Sequence, residues 1–188
     1  MDIFEAFDVA HDEFERVLRR VGEDQWTLPT PCTEWNVYEV ANHVVGAGQY
    51  FMALLNGAAK EEALKVLLTA DLLMPDPVTA FVTQRPMLRA SFSAPGALDV
   101  VGHHVIADMT GDQLLRGCVS ETTVHTWDIA RATGANENLD PQLVDDVLEI
   151  FEVLAPLFVA NGFAAPSVGV SPGASAQHRL LALSGRQP

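Results

Sequence analysis

Apolar residues recur at helical spacing along most of the chain. Ile3, Phe4, Phe7, Ala10, Phe14, Val17, Leu18 and Val21 share one face, which predicts a first helix from about Asp2 to Val21. His11 sits at the edge of that face, a place for packing or solvent contact rather than ligation. The periodicity breaks at Trp26, and Pro29 and Pro31 make the following stretch an extended connection. Asn36, with Glu39 three residues on, carries the signature of a capping box. A second helix follows to about Asn56, with Val37, Ala41, Val44, Gly48, Phe51 and Leu55 as its main stripe. Val40, Ala47 and Leu54 widen that stripe on one side. His43 lies on the widened flank, where a histidine is more often a satisfied boundary group than a ligand.

Gly57 punctuates the end of this helix, and Glu61 to Met74 is helix-prone up to Pro75-Asp76-Pro77. Val78 to Phe92 predicts a further helix that Pro86 should kink or split. Pro95-Gly96 is a turn, and Leu98 to Met109 reads as irregular or briefly extended. His103 and His104 fall in that stretch; adjacent residues cannot share a helix face, so they read as loop residues near a site mouth. A helix starting at Gly111-Asp112 carries the central stretch, Glu121 to Gly134, and Gly134 is placed to cap it. Asp140-Pro141 is an N-cap followed by proline at the first helical position. Val144, Val147, Leu148, Phe151, Leu154 and Phe158 give that helix its apolar face, and Pro156 should kink its last turns. Residues 162–176, rich in Gly, Pro, Ser and Ala, should wrap the surface before a short helix over Gln177 to Leu183.

The central helix holds the unusual pattern. Leu114, Cys118, Glu121, His125, Ile129 and Ala132 form one narrow stripe, with Arg116, Ser120, Trp127 and Arg131 off it. Glu121 and His125 are one turn apart on the core-facing side. Charged or polar groups there need partners, because burying them unpaired is costly. Two solutions stay open: the pair satisfies itself with hydrogen bonds, or it helps to hold a metal ion.

The chain has 188 residues, 48% hydrophobic and 19% charged, which suits one all-α domain over residues 1–188 built as a helical bundle. Its 25 acidic against 11 basic residues give a net charge of −14, which argues against nucleic acid or an anionic membrane as partner. The acidic, amphipathic N-terminus is unlike a signal peptide, and no apolar run reaches a membrane span. Cys32 and Cys118 do not make a disulfide framework, so a reducing, cytoplasmic setting is expected.

Three segments together resemble a known group. They are Thr30-Pro31-Cys32-Thr33-Glu34-Trp35-Asn36-Val37, Ala41-Asn42-His43-Val44, and Val124-His125-Thr126-Trp127-Asp128-Ile129-Ala130-Arg131-Ala132-Thr133-Gly134. They are similar to actinobacterial metal-binding proteins related to the N-terminal domain of mycothiol-dependent maleylpyruvate isomerase and to the DinB/YfiT-like superfamily. Leu180-Leu181-Ala182-Leu183-Ser184-Gly185-Arg186 also looks like the short-chain branch of that group. The resemblance implies a four-helix bundle, here with short extra helices and an irregular C-terminal tail. It also implies a divalent metal held by His43, Glu121 and His125, and a donor set of two nitrogens and one oxygen points to zinc or nickel as that metal. Glutamate as the middle ligand is the pattern of the maleylpyruvate isomerase branch, whereas many DinB-like proteins use three histidines. The isomerases carry an additional C-terminal domain, so maleylpyruvate itself is not the expected substrate, and no further catalytic residue is matched.

A site of two imidazoles and one carboxylate keeps a position open, as catalytic zinc sites do. An incoming thiol would enter as thiolate, the nucleophile of conjugate addition and S-transfer. The expected activity is a metal-dependent thiol S-transferase or isomerase using mycothiol or a similar thiol and an electrophilic substrate; a homodimer is compatible with it. The alternative is a metal- or small-molecule-binding bundle without turnover. Asp128 either orients a ligand or water from behind the metal ligands or is a helix-end surface carboxylate. Trp35 and Trp127 read as packing anchors, and Cys32 as a bystander.

Overall fold

A computed structural model describes residues 1–188 apart from Phe163. Its helices are α1 (Ile3–Leu18), α2 (Val37–Leu55), α3 (Lys60–Thr69), α4 (Pro77–Ser93), α5 (Gly111–Thr133), α6 (Pro141–Ala160) and α7 (Ala176–Leu183). One small antiparallel hairpin, β1 (Val101–His103) with β2 (Asp108–Thr110), leads into α5. The protein is therefore an all-α helical bundle. Helices α1, α5, α2 and α4 close a ring in which each packs on its neighbours, while α6 lies against α5 and α1 and carries α7. Among the described residues, no helix is long and apolar enough to cross a membrane.

The local signals of the chain act as their chemistry dictates. Asn36 and Glu39 form a reciprocal capping box on α2, Asp140 caps α6 ahead of Pro141, and Gly134 ends α5 in the left-handed region at φ 71°. Helix α1 stops at Leu18, short of the expected Val21. Arg20 and Val21 instead bond to carbonyls three residues back, and the chain unwinds into turns. Helix α3 ends at Thr69, not Met74. The Asn42 side chain accepts from the Leu72 N–H and donates to the Ala70 carbonyl, capturing backbone groups that a continuing helix would use. Pro86 and Pro156 do not split their helices; each sits on an exposed side, where a carbonyl left unpaired can meet water.

The largest departure from expectation concerns α5. Its apolar side is not a narrow stripe, since every residue from Thr122 to Ala130 is buried, Trp127 among them. Packing on α1, α2 and α6 covers this helix from several directions. Its threonines remain satisfied because Thr122, Thr123 and Thr126 each donate to the carbonyl four residues back. The bundle thus has a polar-rich central helix whose hydroxyls need no partner from outside.

His11 is a packing residue. It is 2% exposed, donates from Nδ1 to the Phe7 carbonyl at 2.8 Å, and lies against the rings of Phe7 and Phe81. Burial lowers its pKa to about 4 despite that hydrogen bond. The folded state therefore refuses a proton that the unfolded chain accepts below about pH 6.5. Stability from this group is full above that pH and is lost as pH falls towards 4, by roughly 3 kcal/mol in all. Urea unfolding at pH 7 and pH 4.5 should show a smaller acid loss for His11→Phe than for the wild type; equal losses would contradict this account.

Candidate metal centre

The polar cluster of the bundle is built across α2 and α5, with a contribution from the C-terminal tail. Helix α2 supplies His43; α5 supplies Glu121 and, one turn on, His125. His43 Nε2 lies 3.1 Å from Glu121 Oε2, and His125 Nε2 lies 3.4 Å from the same oxygen. One donor atom from each of these three residues falls within 4.8 Å of the others, close enough for a single divalent ion to be shared. Two imidazole nitrogens and a carboxylate oxygen also form a donor set suited to zinc or nickel. The Glu121 and His43 side chains keep 29% and 18% exposure, so a small ligand can reach the cluster, whereas that of His125 keeps 5%.

Behind His125 stands Asp128, whose side chain is fully buried, which disposes of the surface-carboxylate reading. His125 Nδ1 donates to Asp128 Oδ2 at 2.9 Å, leaving Nε2 turned towards Glu121 and His43. Arg186, from the tail after α7, donates to both oxygens of the same carboxylate, at 3.2 Å from Nε and 2.7 Å from Nη2. This bidentate pair satisfies a buried charge that would otherwise be costly.

The electrostatics follow from these contacts. Burial would raise the Glu121 carboxyl, but hydrogen bonds from His125 and His43 hold it well below the usual carboxylate range. Burial likewise works against the charged forms of His125 and Asp128. Asp128 and Glu121 nevertheless hold the His125 imidazole above its ordinary value, and His125 with Arg186 keeps Asp128 ionised. At His43 burial wins over the pull of Glu121, and the pKa falls. Burial pushes the Cys32 thiol up to about 11 although Arg186 opposes it, so this cysteine is a poor nucleophile.

The sequence-derived residues distribute clearly. His43, Glu121 and His125 come together, and Asp128 adjoins them. His103 and His104 do not join. His103 is exposed and bonds to Asp108, while His104 is buried against Tyr50 and Phe51. Trp127 is a core anchor, with Arg131 over its ring. Trp35 is more than that: its ring centroid lies 4.4 Å from that of His43 and 6.0 Å from that of His125, so it walls the cluster. Arg186 escaped residue-by-residue reading, since a basic residue two positions from the end of a polar tail reads as solvated. Its signal was the Ser184-Gly185-Arg186 ending.

Asp128→Ala should cost about 3–5 kcal/mol of stability, because it leaves the buried guanidinium without its carboxylate. Urea unfolding measures this; a loss under about 1 kcal/mol, the scale of an exposed pair, would show that water replaces the carboxylate freely.

Comparison with known proteins places the chain in a family. A family model described as the mycothiol maleylpyruvate isomerase N-terminal domain matches residues 7–130. Uncharacterized proteins of Mycobacterium tuberculosis, from strains CDC 1551 / Oshkosh and ATCC 25618 / H37Rv, are each 28% identical over 167 residues, spanning 86% of this chain and 85% of their own length. No solved structure matches the chain.

Proposed function

The chain belongs to the mycothiol maleylpyruvate isomerase N-terminal domain family, and from that premise we propose that it is a divalent-metal-dependent thiol S-transferase or isomerase. Its co-substrate is mycothiol or a similar low-molecular-weight thiol, which attacks an electrophilic small molecule. The observation that carries this reading is the convergence of His43, Glu121 and His125 donor atoms within 4.8 Å. His43 and His125 would each present Nε2 to the ion and Glu121 a carboxylate oxygen. An ion held there supplies Lewis-acid polarisation, which lets a thiol lose its proton near neutral pH.

The residues of the chain do the remaining work. Asp128 holds the proton on His125 Nδ1 and so leaves Nε2 as the liganding atom. Trp35 rests against His43 and restricts that ring. Arg186 offsets the charge of Asp128, so the ligand set itself contributes one negative charge, from Glu121. With one carboxylate among the three residues that would hold it, a divalent ion would keep a net positive charge there, a setting suited to an anionic thiolate. The solvent-facing parts of Glu121 and His43 leave an approach for the thiol.

Elemental analysis after zinc reconstitution should find about one ion per chain. His125→Ala should weaken that binding strongly while keeping the helical circular-dichroism signal, because the apolar faces supply the core. A cobalt-substituted sample titrated with mycothiol should gain an intense near-ultraviolet charge-transfer band; S-methylated mycothiol should not produce it. No metal uptake would overturn the metal reading. Retained metal with a spectrum indifferent to both compounds would replace the transferase reading with binding alone.

A further inference from the structure

We propose that Arg186 is a positioning residue of the metal centre: its guanidinium fixes the Asp128 carboxylate, and through it the His125 ring, so that the C-terminal tail completes the site. The proposal rests on the metal reading for its consequence but on the tail's own geometry for its basis.

That geometry is specific. Helix α7 ends with Gly185 in the left-handed region at φ 79°. The Arg186 N–H donates to the Leu181 carbonyl at 2.8 Å and the Gly185 N–H to the Ala182 carbonyl at 3.1 Å. These two bonds are the paired closure of a Schellman motif, which sets the direction in which the chain leaves the helix. Leu180 and Leu181, both fully buried, pin α7 to the core. The guanidinium is then held by three bonds, one from Nη1 to the Ser184 carbonyl at 2.7 Å and two to Asp128. A planar fork on both carboxylate oxygens fixes the plane of the carboxylate as well as its place. Asp128 Oδ2, the atom that receives His125 Nδ1, is also the atom that receives Arg186 Nη2. The aim of the imidazole towards His43 and Glu121 is therefore set from outside α5. Arg186 also lies beyond the segment that the family model matches, residues 7–130.

The test compares wild type with Arg186→Met and Arg186→Lys, each checked for folding by circular dichroism. The first readout is the His125 Nδ1–H resonance in the metal-free protein at one fixed pH. The wild type should give a downfield, slowly exchanging proton; Arg186→Met should lose or strongly broaden it, and Arg186→Lys should retain it only in part. The second readout is zinc affinity by chelator competition, which should weaken about tenfold or more in Arg186→Met and less in Arg186→Lys. A folded Arg186→Met with an unchanged resonance and zinc affinity within about twofold of wild type would overturn the proposal, leaving Arg186 a structural anchor. If Arg186→Met does not fold, Arg186→Lys decides on the same two readouts. If the wild type takes up no zinc, the proposed function fails, and the ring resonance still decides the role of Arg186.

Discussion

Five ionisable side chains touch in sequence through this bundle: His43, Glu121, His125, Asp128 and Arg186. Each is wholly or partly withdrawn from water, and its neighbour offsets the cost of that withdrawal. The constraint organises much else. It requires α2 and α5 to pack so that His43 meets Glu121, and it requires the tail to turn back after α7 so that Arg186 meets Asp128. The apolar core supplies most of the folding free energy. The polar chain dictates how two of its helices and one terminus must be set against each other.

The chain of charges also has a direction. At its inner end Arg186 and Asp128 form a buried pair that is close to neutral and keeps 13% and 0% side-chain exposure. At its outer end Glu121 and His43 meet solvent. A buried support under a partly open donor set is what the proposed metal site would need, because ligand direction would be set from behind while one position stayed reachable. Burial pushes the Cys32 thiol up to about 11, which makes it a poor nucleophile; under the proposed function the reacting thiol would come from outside the chain.

Much of the bundle was legible in the sequence where local chemistry decides. The Asn36 capping box, the Asp140-Pro141 start and the Gly134 stop each satisfy backbone groups on the spot, so nothing distant can override them. Glu121 and His125 were legible because one turn of helix places them together whatever surrounds it. What depended on distant partners was not. The early end of α3 depends on Asn42 from another helix. The all-round burial of α5 depends on three neighbours, and periodicity alone reports only the most apolar of its faces. By residue reading His43 was a boundary histidine; only packing against α5 brings it to Glu121, and only family resemblance anticipated it. Arg186 was the hardest, since its partner stands on a different helix and its own surroundings are polar.

The most direct measurement is anomalous diffraction from crystals of the zinc-loaded protein at the zinc edge. The account predicts one strong peak between His43 Nε2, a Glu121 carboxylate oxygen and His125 Nε2, at about 2.0–2.2 Å from each. A peak at the exposed His103 and Asp108 pair or at Cys32, with the His43, Glu121 and His125 side chains bonded only to one another, would contradict it.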